Sequence, residues 1–132
     1  MTPFERLDYV YLPSRDVAAD VAHFTERLGA ELVFAIEAFA TRVAMVRLSP
    51  DPPALLLAGH LEGDQPVLVH RVADLDRALT EVQERGVTVA ARFEIPPGPA
   101  AELRCPGPQR LALYQLTRAE RAASLTGRRD FG

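Results

Sequence analysis

Residues 67–91, VLVHRVADLDRALTEVQERGVTVAA, decide the fold because they contain a strand, a helix and a second strand in direct succession. The apolar, β-branched run at 67–69 predicts a strand. Asp74 stands at the N-cap of the helix, where its carboxylate can accept hydrogen bonds from free backbone amides. Gly86 ends the helix, since glycine tolerates the left-handed conformation of many C-caps. The i, i+3, i+4, i+7 spacing places four apolar residues on one helical face: Leu75, Ala78, Leu79 and Val82.

Residues 7–34, LDYVYLPSRDVAADVAHFTERLGAELVF, repeat this pattern. A strand at 7–12 is followed by a cap at Asp16, a helix that ends at Gly29, and another strand from Glu31. The apolar face of this helix consists of Val17, Val21, Phe24 and Leu28. Two units of the same order indicate an internal duplication.

The remaining segments complete two β-α-β-β-β halves. The predicted further strands are 31–39, 41–49 and 54–58 in the first half, and 87–95, 101–104 and 110–116 in the second, with turns at 50–53, 96–99 and 105–109. We therefore predict one domain over residues 1–117, with modules at about 5–58 and 67–117 and a linker at 59–66. Residues 118–132 are predicted to form a short helix up to 125 and a loose end.

Composition excludes several classes of function. The chain has 132 residues, 48% of them hydrophobic and 25% charged, which is typical of a single globular domain. Its net charge of −3 argues against nucleic acid as a partner. No apolar run has the length of a membrane span and no signal-peptide pattern is present, so we expect no membrane partner and a cytoplasmic location. The basic residues are all arginine, which excludes a Schiff-base or P-loop lysine.

The tandem β-α-β-β-β pattern resembles the vicinal oxygen chelate superfamily, which contains glyoxalases, extradiol dioxygenases and bleomycin-resistance proteins. The resemblance lies in residues 7–34, in HRVADLDRALTEVQERGV (70–87) and in CPGPQRLALYQ (105–115), and it covers about 5–117. It implies an α+β fold in which tandem βαβββ modules form a half-open barrel with a cavity on the concave face.

The resemblance also gives four positions where metalloenzymes of this superfamily carry metal ligands. These positions fall on Tyr9, the leucine strand 55–57, Val67 and Ala112. Aliphatic side chains offer no donor atom, and a neutral tyrosine is a poor ligand. We therefore predict no metal, no cofactor and no standard catalytic residues.

The predicted ligand site is the cavity face. Tyr9 and Tyr11 share one strand face, and Tyr114 shares a face with Ala112; these tyrosines either contact a ligand or simply fill the barrel. His60 follows the leucine strand and is interpreted as a surface loop residue. His70 is predicted to point toward the helix. The complete set of predicted ligand-binding residues is Tyr9, Tyr11, Met45, Arg47, Leu57, Arg92, Glu94, Glu102 and Tyr114.

Three functions are compatible with these residues. The leading interpretation is a metal-free protein that binds a small molecule, an antibiotic or an aromatic metabolite, without catalysis. The alternative is an isomerase, lyase or dioxygenase-like enzyme of the same superfamily with non-standard residues, for instance Tyr9 as acid or base with Glu94 or Glu102 as its partner. The third is an interaction module with a vestigial pocket. A homodimer is expected, because open strand edges can be covered by a second copy.

Overall fold

A computed structural model describes residues 2–38 and 40–131, so that the predicted strand end at Phe39 lies outside the described residues. The chain divides into two compact units. The first-module unit consists of Tyr9–Pro66 and the chain from Leu125 onward. The second-module unit consists of the residues up to Asp8 and of Val67–Ser124. Strand β1 (Phe4–Pro13) contributes residues to both units.

The first-module unit contains a sheet with the strand order β2-β3-β4-β1. Its other strands are β2 (Glu31–Ala38), β3 (Thr41–Arg47) and β4 (Ala54–Ala58). The β1–β4 pairing is parallel and the others are antiparallel. Helix α1 (Val17–Ala22) continues into a π-helical turn (His23–Arg27). The predicted cap is confirmed, because Oδ1 of Asp16 accepts a hydrogen bond from the Ala19 amide at 3.0 Å.

The second-module unit has the strand order β1-β5-β8-β7-β6, with a parallel β5–β8 pair. Its elements are β5 (Val67–Val72), α2 (Leu75–Glu84), β6 (Val89–Ile95), β7 (Gly98–Leu103), β8 (Arg110–Gln115) and α3 (Ala119–Ser124). Asp74 caps α2 by accepting from the Arg77 amide at 3.1 Å. The predicted turn 96–99 is too long, because β7 already begins at Gly98 and pairs Pro99 with Glu94.

Helix α2 buries its whole predicted apolar face, whereas the face predicted for the first helix is buried only in part: Phe24 is partly buried, and Leu28, after the π-helical turn, is 52% exposed. Leu75, Ala78, Leu79 and Val82 of α2 pack against Ala101, Leu103 and Leu113 of the sheet. Val17 and Val21 of α1 pack against Ala44, Val46 and Leu57. The α+β class with two βαβββ modules is therefore confirmed. The domain boundaries stay a prediction, and no helix within the described residues is long and apolar enough to cross a membrane.

Candidate functional site

The sheet of the first-module unit has two faces with different partners. On the face that we call the tyrosine face, Tyr9, Tyr11 and Met45 pack around Val33, Phe34 and Leu56. The register explains this grouping, since Leu56 pairs with both Tyr11 and Met45, and Met45 also pairs with Phe34. The opposite face, which we call the helix face, packs on α1.

The surroundings of Tyr11 on the tyrosine face favour the protonated form of its phenol. Burial among the apolar side chains, with a smaller contribution from nearby Tyr9, raises the pKa of Tyr11 well above its ordinary value. Its phenol stays protonated near neutral pH, so Tyr11 can donate a hydrogen bond but cannot act as a base there.

A cavity of about 430 Å³ opens on the tyrosine face. It is lined by Ile36, Ala38, Thr41, Val43 and His60. Ile36 and Val43 are register partners and belong to the apolar cluster of the tyrosine face. The volume lies within the range of small-molecule sites, and His60 is the titratable side chain in the lining.

A larger, open cleft of about 950 Å³ lies on the helix face of the same unit. Its lining includes Asp16, Val17, Glu37 and Arg42. Several of these polar groups already have partners: Asp16 caps α1, and Arg42 Nε lies 3.4 Å from Oε2 of Glu37. The smaller cavity differs in having an imidazole, that of His60, in its lining.

In the second-module unit, Tyr114 is buried and its hydroxyl is engaged. It donates to Oδ2 of Asp8 at 2.5 Å, and Nε of Arg6 donates to Oδ1 of Asp8 at 2.5 Å. Nε of Arg71 lies 4.0 Å from the same carboxylate and 3.3 Å from Oε1 of Glu5. A buried carboxylate needs such partners to remain charged.

The predicted charged site residues of this unit form ion pairs. Arg110 holds both oxygens of Glu102 at 3.0 and 3.1 Å, with both side chains about three-quarters buried. Glu94 pairs with Arg118 at 2.6 Å. Arg92 pairs with Asp76 of α2 at 2.8 Å on the exposed surface. Tyr9 belongs to the other unit, and its predicted partnership with Glu94 or Glu102 stays untested.

Leu57 and Arg47 are placed less favourably than the sequence suggested. Leu57 packs on the helix face with Val17 and Val21, while its neighbour Leu56 occupies the tyrosine face. Leu57 is therefore dropped from the proposed site. Arg47 is exposed at the end of β3, opposite Glu31.

The sequence did not identify His60 as a site residue. His60 is solvent-exposed, as a loop residue should be, yet it lines the cavity. The alternation of Ile36 with Phe34 and of Val43 with Met45 predicts an apolar sheet face, but the position of His60 beside that face follows only from the tertiary structure. His70 packs edge-on against Phe4 at 5.5 Å between ring centroids; burial lowers its pKa, while the Asp8 carboxylate acts in the opposite direction.

The four positions that carry metal ligands in enzymes of this fold do not fit a divalent ion. Leu56, Val67 and Ala112 are buried aliphatic side chains without donor atoms. Within the described ranges, no group of three or more histidine, cysteine, aspartate or glutamate side chains could hold a metal ion.

Solved structures of known proteins share this glyoxalase-like arrangement of modules. Methylmalonyl-CoA epimerase from Mycobacterium tuberculosis matches with a TM-score of 0.76 at 17% identity, over 92% of this chain and 95% of that chain. A methylmalonyl-CoA epimerase in complex with methylmalonyl-CoA and NH4+ matches with a TM-score of 0.67 at 20% identity, over 85% and 94%. A Streptomyces coelicolor methylmalonyl-CoA epimerase variant in complex with 2-nitronate-propionyl-CoA gives the same TM-score and identity, over 85% and 97%.

At these identities the comparison shows the fold. No protein-family model matches the sequence, and no curated protein matches it. The interpretation as a non-catalytic binding protein of the bleomycin-resistance type is nevertheless wrong: the matching structures are of epimerases, which are enzymes. The absence of the metal ligands was interpreted as a loss of catalysis. It argues only against catalysis that depends on a metal ion at those four positions.

Proposed function

We propose that this chain is an enzyme that moves a proton at a carbon next to a carbonyl group, and that the His60 cavity is its active site. The observation that carries the proposal is an imidazole in the lining of an otherwise largely apolar cavity, on a fold shared with epimerases. Of the enzyme types considered for the alternative interpretation, isomerase agrees best with these neighbours.

The proposed chemistry uses residues of the first-module unit. His60 removes the proton from the α-carbon, and the electron pair of the broken C–H bond moves onto the carbonyl oxygen to give an enolate. The hydroxyl of Thr41, in the same lining, donates a hydrogen bond to that oxygen. Protonation of the α-carbon on the opposite face of the enolate, by a proton from solvent water, inverts the configuration and completes the isomerisation without any net oxidation.

A small acyl compound is the proposed substrate. The structural neighbours include complexes with methylmalonyl-CoA and 2-nitronate-propionyl-CoA, so acyl thioesters are the first class to test. The apolar walls formed by Ile36 and Val43 suit a short aliphatic acyl chain. Tyr9, Tyr11 and Met45 extend the same apolar face and remain proposed ligand contacts. A cytoplasmic location and a homodimer remain part of the proposal.

A substrate panel tests this proposal. Acyl-CoA thioesters and free 2-substituted carboxylic acids are incubated with the protein in D2O, with and without a chelator, and deuterium incorporation at the α-carbon is measured by mass spectrometry. We expect catalysed incorporation into at least one compound, unaffected by the chelator. Absence of incorporation across the panel would refute the proposal.

A further inference from the structure

Residues 127–130 run beside β2, the edge strand of the first-module sheet, and pair with it through backbone hydrogen bonds and one isolated bridge. The amide of Ala35 donates to the carbonyl of Arg128 at 2.8 Å, and the amide of Asp130 donates to the carbonyl of Ala35 at 2.7 Å. Gly127 donates to the carbonyl of Val33 at 2.8 Å. Ala35 and Arg129 form a parallel bridge. We name residues 125–131 the carboxyl-terminal strap.

Side chains fasten the strap at three further points. Oδ2 of Asp130 accepts from the Glu37 amide at 3.0 Å. The guanidinium of Arg129 donates to the carbonyls of Leu32 and Val33 at 2.8 and 3.2 Å. The guanidinium of Arg42 stacks over the ring of Phe131, with its Cζ atom 4.7 Å from the ring centroid.

The strap contacts both faces of the sheet. Leu125 packs against the buried residues Val33, Phe34 and Leu56, on which the cavity residues Ile36 and Val43 also pack. Phe131 packs against the helix-face cluster. A seated strap therefore covers the β2 edge and supports the wall of the His60 cavity.

The strap has few attachments beyond this edge. None of the six residues of α3, which precedes it, is buried. Each hydrogen bond contributes a net free energy of only about 0.5–1.5 kcal/mol, and segments with few buried apolar contacts open below the free energy of global unfolding.

We propose that the carboxyl-terminal strap is a releasable closure of the first-module unit: it detaches from β2 while the sheet stays intact, and its release exposes the β2 edge and loosens the cavity wall. The consequence for catalysis rests on the proposed function. The detachment itself does not, and it is tested without any substrate.

Amide hydrogen exchange at single residues of β2 distinguishes strap opening from sheet opening. Successive amides of a strand point to opposite sides. The amides of Ala35 and Glu37 donate hydrogen bonds to the strap. The amides of Phe34 and Ile36 therefore point toward β3. Detachment exposes only the first pair, which we therefore expect to exchange at least about tenfold faster than the second.

Two variants of the strap and one control variant test whether its contacts protect the amides of Ala35 and Glu37. Phe131→Ala removes the ring that packs on the helix face, and we expect it to accelerate exchange at Ala35 and Glu37 by about tenfold or more, with Phe34 and Ile36 unchanged. Asp130→Asn provides a second variant should the first fold poorly. Phe93→Ala, which truncates an exposed phenylalanine of the second-module unit, is the matched control and should change none of the four rates. Equal rates at all four amides, in the native protein and in both strap variants, would show that the strap is a fixed strand.

Discussion

The hydroxyl of Tyr114 on β8 donates a 2.5 Å hydrogen bond to the carboxylate of Asp8 on β1, and both side chains are buried. The two residues lie 106 positions apart in the sequence. This bond links the last strand of the second-module unit to the part of β1 that belongs to it, and it occupies the hydroxyl that the sequence had suggested for ligand binding.

Tyr114→Phe should therefore destabilise the protein rather than alter a ligand site. Loss of the hydroxyl leaves the buried carboxylate one donor short, which should lower the free energy of unfolding by about 1–3 kcal/mol. Urea denaturation measures the change, and a double-mutant cycle with Asp8→Asn isolates the pair. Strict additivity of the two substitutions would show that the bond contributes nothing.

Gly98→Ala should destabilise strongly, because a Cβ at this position would lie 1.8 Å from the backbone oxygen of Gln115. Neither backbone segment can move without disturbing β7. We therefore expect the free energy of unfolding to fall by about 3 kcal/mol, the upper end of the usual range for substitutions that overpack a site. Gly107→Ala is the control: its Cβ would approach the side-chain amide of Gln109 at 2.6 Å, which can rotate away. Thermal unfolding should separate the two variants clearly, and equal stabilities would contradict the predicted backbone clash.

Tyr11 should make stability fall at alkaline pH. Burial raises the pKa of Tyr11 in the folded state, while in the unfolded chain it lies near ~10. The stabilisation is therefore complete below the unfolded pKa and is lost as the pH rises above it toward the folded value. Tyr11→Phe should reduce this loss in denaturation curves between about pH 9 and 11. An identical alkaline decline in the variant would count against the buried phenol.

Asp130 should make the strap sensitive to acid. The hydrogen bond from the Glu37 amide and then that from Arg128 lower the pKa of Asp130, despite an opposing effect of desolvation. The stabilisation is present above the unfolded pKa and is lost as the pH falls through the lowered folded value. After correction for intrinsic exchange, protection of the Glu37 amide should decline below about pH 4, and the decline should be absent in Asp130→Asn. A decline of the same size in the variant would assign the effect to another group.

The sequence predicted the modules and helices well because local signals determine them. Asp16 and Asp74 cap α1 and α2, and the apolar spacing matches the buried face of α2. In the first helix it matches at Val17 and Val21, but the π-helical turn interrupts the 3.6-residue period and leaves Leu28 exposed. The sequence could not show which leucine of the strand 54–58 faces which side of the sheet. Three successive leucines on a strand that is buried on both faces show no apolar–polar alternation. That is why Leu57 was chosen where Leu56 faces the tyrosines.

The strap escaped prediction for a different reason. It is formed by backbone pairing between residues more than 90 positions apart, for which residues 125–131 show no hydrophobic period. The role proposed for His60 likewise depends on tertiary packing, because a lone histidine in a polar loop has no distinguishing local pattern.

The central claim, that His60 transfers the substrate proton, is tested most directly by comparing His60→Gln with His23→Gln. The second variant is a matched control, because His23 lies in the π-helical turn after α1 and packs against Phe24. Deuterium incorporation is measured for both variants with the best substrate of the panel. We predict that His60→Gln lowers the rate at least about a hundredfold, whereas His23→Gln retains the native rate. Equal rates in the two variants would contradict the assignment of His60 as the catalytic base.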